Sequence, residues 1–240
     1  MSIAENLAHV RQRIAAAARR VGRNPDEIAL MAVSKTVATE QITEAFTAGV
    51  RLFGENRVQE FAGKQPQLGA ITAQGAHFHL IGHLQSNKTA KAAELFAAID
   101  SLDSLSLARK LSAAAEKSGR VLAVLIEINL GGEAAKTGLV AESRELEELL
   151  LAAPSLAGLR IAGLMAIPPY AESPESARPF FRMLVRLREQ ISARRLPAVA
   201  MEALSMGMSH DFEVAIEEGS TCVRIGTAIF GGRSKSGEKT

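Results

Sequence analysis

The chain has 240 residues, 47% hydrophobic and 22% charged, a size and balance that suit a globular protein or a β/α barrel forming one domain. Its 28 basic and 26 acidic residues leave a formal charge of +2, and aromatic residues make up 4% with no tryptophan. That composition offers neither a charge reservoir nor stacking platforms for nucleic acid.

The first element in chain order is a helix expected over residues 3–21, ending in the basic pair Arg19-Arg20. The start Met1-Ser2-Ile3-Ala4-Glu5-Asn6 lacks a basic segment followed by an apolar core, and no apolar run is long enough to span a bilayer. A cytoplasmic protein that binds neither nucleic acid nor membrane is therefore expected. After the helix, short apolar, β-branched runs fall at residues 28–33, 51–53, 77–81, 97–99, 121–128, 159–164, 200–204 and 221–225. Each of the first seven is followed by a longer stretch rich in alanine and leucine with helical spacing.

Strand–helix alternation implies parallel strands covered by helices, and eight such units are enough to close a ring. The expected fold class is α/β: a single (β/α)8 TIM-type barrel with an extra N-terminal helix. An open, doubly wound sheet is the competitor, but no glycine-rich dinucleotide turn follows the first strand. No linker divides the chain, so residues 1–232 are expected to form one domain. The polar stretch 233–240 is expected to be a flexible tail.

In a β/α barrel the chemistry gathers at the C-terminal ends of the strands. Those ends read Ser34-Lys35-Thr36, Gly54-Glu55-Asn56, Gly82-His83-Leu84-Gln85, Asp100, Asn129, Met165, Ser205-Met206-Gly207 and Gly226-Thr227. Lys35 stands where a buried strand ends; burial disfavours its ammonium form, and free amine is what imine formation with an aldehyde requires. The alternative for this feature alone is a lysine that has simply reached solvent. The stretch Ser205-Met206-Gly207-Met208-Ser209 is expected as a loop before a helix starting at Ser209, whose free N–H groups suit a phosphate. An ordinary strand-to-helix turn with Ser209 as N-cap is the plainer alternative. Phosphates in barrels are often held after strands seven and eight, so Gly226-Thr227 supports the same site. Arg224 alternates with Val223 and Ile225 and so points either into the barrel mouth or outward into a salt bridge.

Other residues carry less. His77 and His79 share a strand face, yet no carboxylate neighbours them in sequence, so no metal site is expected. Cys222, inside a strand, is expected to be a buried small residue; as the sole cysteine it excludes an intramolecular disulfide. The run Arg144-Glu145-Leu146-Glu147-Glu148 is expected as a solvated helix face.

Six segments in order resemble the pyridoxal phosphate homeostasis proteins. They are Ala32-Val33-Ser34-Lys35-Thr36, Phe53-Gly54-Glu55-Asn56, Gly82-His83-Leu84-Gln85-Ser86-Asn87-Lys88, Gly163-Leu164-Met165, Leu204-Ser205-Met206-Gly207-Met208-Ser209, and Val223-Arg224-Ile225-Gly226-Thr227-Ala228-Ile229-Phe230-Gly231. The resemblance implies a barrel similar to the N-terminal domain of alanine racemase, with pyridoxal 5′-phosphate (PLP) joined to Lys35 as a Schiff base. It also implies that Ser205, Gly207, Gly226 and Thr227 hold the phosphate, that Arg224 faces the pyridine nitrogen and that Asn56 lies near the ring. An arginine there disfavours protonation of that nitrogen and weakens the electron sink that carbanion chemistry needs. Many members carry a second lysine two residues beyond the first; here that position is Val37, and Lys136 is the remaining candidate.

Two functions remain open, beside a blander class in which the lysine binds nothing or the barrel takes some other phosphorylated metabolite. One is a carrier that sequesters the reactive aldehyde, maintains vitamin B6 homeostasis and passes the cofactor to apo-enzymes. The other is a PLP-dependent amino-acid racemase or decarboxylase. Two-base chemistry needs a positioned partner on each face, and the only tyrosine is Tyr170, in the segment Ile167-Pro168-Pro169-Tyr170. The carrier, acting as a monomer, is the expectation.

Overall fold

The structure is a computed structural model that describes residues 1–131 and 137–232. Lys136 and the expected tail 233–240 lie outside the described residues. Among the described residues, nine parallel strands are interspersed with helices: β1 (Ala29–Val33), β2 (Leu52–Glu55), β3 (His77–Leu80), β4 (Ala98–Leu102), β5 (Leu122–Asn129), β6 (Leu139–Val140), β7 (Leu159–Ala166), β8 (Val199–Met208) and β9 (Cys222–Ile225). β1 pairs with both β2 and β9, and β4 with β5, so eight strands close a ring. Two-residue β6 pairs with β5 alone and was not expected from the sequence. The fold is the (β/α)8 barrel.

Helix α1 (Ile3–Arg20) opens with a capping box in which Ser2 accepts from Glu5 N–H and Glu5 accepts from Ser2 N–H. Its buried stripe Ile3, Leu7, Val10, Ile14, Ala17 follows the helical repeat. That stripe rests on α2 (Thr39–Thr47), α8 (Phe212–Glu217) and α9 (Thr227–Phe230), so the extra helix clasps the seam where the first and last strands meet. The remaining helices are α3 (Val58–Ala73), α4 (Thr89–Leu95), α5 (Leu105–Lys117), α6 (Arg144–Ala152) and α7 (Arg178–Ala193). Among the described residues, no helix is long and apolar enough to cross a membrane.

Most of the core lies between strands and helices, where Phe53, Phe61, Phe78 and Phe96 stack in a chain. A separate small cluster, Leu125, Ala162 and Met165, has Ala123 and Ala203 packed against it. On the strands flanking β7, Glu127 and Ser205 pair in register with Met165, and both are buried.

Three sequence expectations need correction. β2, β4, β7 and β8 run past the apolar text, so that Glu55, Asp100, Met165 and the stretch Ser205-Met206-Gly207 lie within strands. The ladder is made by backbone groups, which polar side chains do not interrupt. The expected loop after Leu204 is therefore strand up to Met208. The helix beyond it does not begin at Ser209; α8 begins at Phe212, after a turn closed by the Met208 N–H donating to Asp211 at 2.7 Å.

Candidate functional site

β1 delivers Lys35 to the barrel mouth. The ladder continues to Ser34, whose N–H donates to the Gly54 carbonyl at 2.9 Å, and the chain then turns. Thr36 has φ +60°, the left-handed region that a β-branched residue seldom enters. Among the described residues Lys35 is half-buried and forms no hydrogen bond or ion pair, whereas nearby Lys64 of α3 donates to four oxygens on Ser34, Glu55 and Glu60. The fully buried Glu55 accepts the Ser34 hydroxyl at 2.7 Å. Burial holds its carboxyl above the usual range, against the pull of Ser34 and Lys64.

Arg224 occupies the neighbouring quarter of the barrel. β9 pairs with β1 and places Arg224 beside Met31, and β8 brings Ser205 beside Cys222. The guanidinium is 3% exposed and donates to the Ser205 carbonyl and hydroxyl oxygens, both at 2.7 Å, and to the Ala166 carbonyl at 2.8 Å. All three acceptors are neutral, and among the described residues Arg224 makes no ion pair. The outward salt bridge left open by the sequence is thus replaced by an inward, buried cation. Burial lowers its pKa, while Cys222, Asp100, Asp211 and Glu127 pull the other way. Cys222 is buried, and desolvation pushes its thiol up to about 12, so it is no nucleophile.

Two glycines complete this quarter. Gly207 has φ +93°, and a Cβ there would run into Ala215 and Phe212, so only glycine lets β8 pass directly against α8. Gly226 rests against Val33, joining the end of β9 to the residue two before Lys35. Thr227 is exposed and opens α9, whose first N–H groups have no intrahelical acceptor. The structure therefore gathers Lys35, Ser205, Gly207, Arg224, Gly226 and Thr227 on three adjacent strands and their ends. Asn56 is half-buried at the end of β2, the strand on the other side of β1, and its backbone touches Gly82.

On the far side of the ring, sequence reasoning named His79, His83 and Asp100 without pairing them, and missed Asp103, Glu127 and Thr137. His79 pairs with Asp100 at 3.0 Å and His83 with Asp103 at 2.9 Å. Glu127 accepts from Thr137 at 2.8 Å, and burial raises its carboxyl. The partners are about twenty residues apart or ten, so no local pattern announces them. Lys64 was missed for a different reason: its four-residue spacing from Glu60 is visible but reads as a surface pair. Tyr170 is 84% exposed, its ring 5.9 Å from that of His210, beside a cavity of about 200 Å³ lined by Pro168, Met208 and Asp211.

In chemical terms, an amine without a competing partner among the described residues shares a mouth with a buried cation and helix-start N–H groups. That set suits a phosphorylated carbonyl compound.

Comparison with known proteins agrees with this geometry. Residues 6–234 match the family model of the alanine racemase N-terminal domain. The chain is 45% identical to the pyridoxal phosphate homeostasis protein of Aquifex aeolicus, over 97% of this chain and 99% of that one. It is also 45% identical to the protein of the same name in Escherichia coli K12, over 98% of both. Among solved structures, PipY of Synechococcus elongatus with PLP bound superposes with a TM-score of 0.83 at 34% identity, covering 96% of this chain and all of that one.

Proposed function

The chain belongs to the pyridoxal phosphate homeostasis protein family, and from that premise we propose that it holds pyridoxal 5′-phosphate on Lys35 and serves to maintain the intracellular pool of vitamin B6. The observation that carries this is the Lys35 amine, which has no hydrogen-bond or ion-pair partner among the described residues, while Lys64 on α3 is fully engaged. When bound, the cofactor supplies an aldehyde that condenses reversibly with an amine. The Ser205 hydroxyl, which accepts from Arg224, keeps its own proton to donate to a phosphate oxygen. Gly207, Gly226 and Thr227 bring backbone N–H groups to the same anion, and Asn56 supplies an amide near the ring. Arg224, held by three neutral oxygens, keeps a positive charge where it opposes protonation of the ring nitrogen.

A carrier without turnover is favoured over a racemase or decarboxylase. Tyr170, the only tyrosine, is exposed and leans on His210, so it supplies no positioned second base. The recipients of the cofactor are apo-enzymes in the cytoplasm, and the protein acts as a monomer.

The test is borohydride reduction of the purified protein with added PLP, followed by peptide mass mapping and an amino-acid turnover assay. An adduct on Lys35, lost in Lys35→Ala with the fold intact, and no turnover are expected. An adduct on another lysine, or sustained racemisation, would overturn the respective half of the proposal.

A further inference from the structure

Lys64 lies on α3 rather than at a strand end, yet its side chain reaches the ends of β1 and β2, and the residues on both sides of Lys35 are tied to it. Its Nζ donates to the Ser34 carbonyl at 2.9 Å, to the Glu55 carboxylate at 3.1 and 3.3 Å, and to Glu60 Oε1 at 2.7 Å. Glu60 Oε1 in turn accepts the Thr36 N–H at 2.6 Å, and Glu55 accepts the Ser34 hydroxyl at 2.7 Å. Ser34 is thereby held through its carbonyl and its hydroxyl, and Thr36 through its N–H, while the Ser34 N–H belongs to the strand ladder with Gly54.

An ordinary strand-to-helix ion pair needs none of the backbone contacts. Here they bracket one residue. They also bear on a strained point: Thr36 at φ +60° occupies a conformation that persists only where its surroundings enforce it. At the Lys64–Glu55–Ser34 end the cluster is shielded, with the side chain of Lys64 13% exposed and that of Glu55 fully buried, so water competes weakly there, whereas the Thr36 N–H bond to Glu60 is exposed. Lys64 itself, shared among four oxygens, is not the amine that reacts.

Resting on the assignment of the cofactor to Lys35, we propose that Lys64 is a positioning residue. Through Glu55, Glu60 and the Ser34 carbonyl it fixes the Ser34–Thr36 turn, so that the Lys35 amine approaches the aldehyde carbon of PLP in one orientation. In that step the neutral amine nitrogen bonds to the aldehyde carbon, and the aldehyde oxygen leaves as water with both amine protons. No redox partner is involved. Lys64 touches none of the reacting atoms.

The experiment is stopped-flow absorbance of the visible band as PLP is added to the parent protein, Lys64→Met and Glu60→Gln, with a thermal midpoint for each. Borohydride mapping locates the adduct. Lys64→Met is expected to slow band formation about tenfold or more with the adduct still on Lys35, the order of effect that a misplaced reacting group produces. Glu60→Gln, which leaves Glu55 and Ser34 bound and so keeps the fold if Lys64→Met does not, is expected to slow it in the same direction. Unchanged rates in the folded variants, even with a lowered thermal midpoint, would reduce the network to a structural role and overturn the proposal. A parent protein with no adduct on Lys35 would fail at the earlier step and bring down the Lys35 assignment as well, so the two failures are distinguishable.

Discussion

At the scale of single residues, the site is organised by which polar groups are satisfied and which are not. Ser205 is fully buried, with its oxygen claimed by Arg224. Ser205→Ala should therefore weaken PLP binding by about 1.5–3 kcal/mol, the usual worth of one hydrogen bond to a charged group, as read from a fluorescence titration. An unaltered dissociation constant would remove Ser205 from the phosphate site. Arg224→Gln keeps an amide near Ser205 and Ala166 but removes the charge, so the visible band of the bound cofactor should shift as the ring nitrogen becomes easier to protonate. An identical spectrum would mean that Arg224 faces another part of the cofactor. The position of Lys35 was legible in the sequence because a lysine directly after an apolar run is a local pattern. What surrounds it was not, because Glu55 and Lys64 reach it from a neighbouring strand and from the following helix.

At the scale of elements, α8 backs Gly207 of β8; its apolar face is buried in the core and its acidic face meets arginines of two other helices. Its Glu213 and Glu217, with Glu218 just beyond, meet Arg13 and Arg20 from α1 and Arg178 and Arg182 from α7. Hydrogen bonding from Arg178 lowers the Glu217 carboxyl. For Glu213 and Glu218 desolvation pushes upward, but the hydrogen bonds from the arginines together outweigh it, and both end below the ordinary value. A carboxylate whose pKa is depressed on folding contributes stability that is present above its unfolded pKa and lost as pH falls through the folded value. The docking of α8 should therefore weaken as pH falls below the ordinary glutamate value and through the depressed ones. A thermal midpoint followed from neutral pH downward should fall less in Arg178→Gln than in the parent, because part of the coupling is already gone. Parallel curves would show that these pairs contribute nothing measurable, as many exposed ion pairs do. The sequence misplaced the start of α8 because Ser209 suits an N-cap as well as Asp211 does, and only the path of the turn decides between them.

At the scale of the whole molecule, closure of the ring is the condition for the site. β1 must pair with β9 for Val33, two residues before Lys35, to meet Gly226, and the strands carrying Ser205 and Arg224 must lie in register beside them. Gly163 reports on that closure: β7 and β8 approach so closely there that a Cβ would overlap the Ala203 carbonyl oxygen. Gly163→Ala should cost about 3 kcal/mol by forcing the two strands apart, measured as a shift of the urea midpoint. A midpoint within error of the parent would mean that the ring can widen without cost.

What the sequence determined by itself is the set of periodicities and strand ends. Alternating strand and helix patterns specify a β/α barrel, and the polar residues at or near the ends of β1, β8 and β9 are the ones that the mouth brings together, although β8 runs further than its apolar pattern. What only the tertiary structure decided is direction and partnership. Alternation left Arg224 free to face either way, and burial among the oxygens of Ser205 and Ala166 turned it inward. His79 with Asp100, and Lys64 with Ser34, meet across neighbouring elements. Such contacts are fixed by strand register and helix docking, and neither is written in the order of residues along one segment.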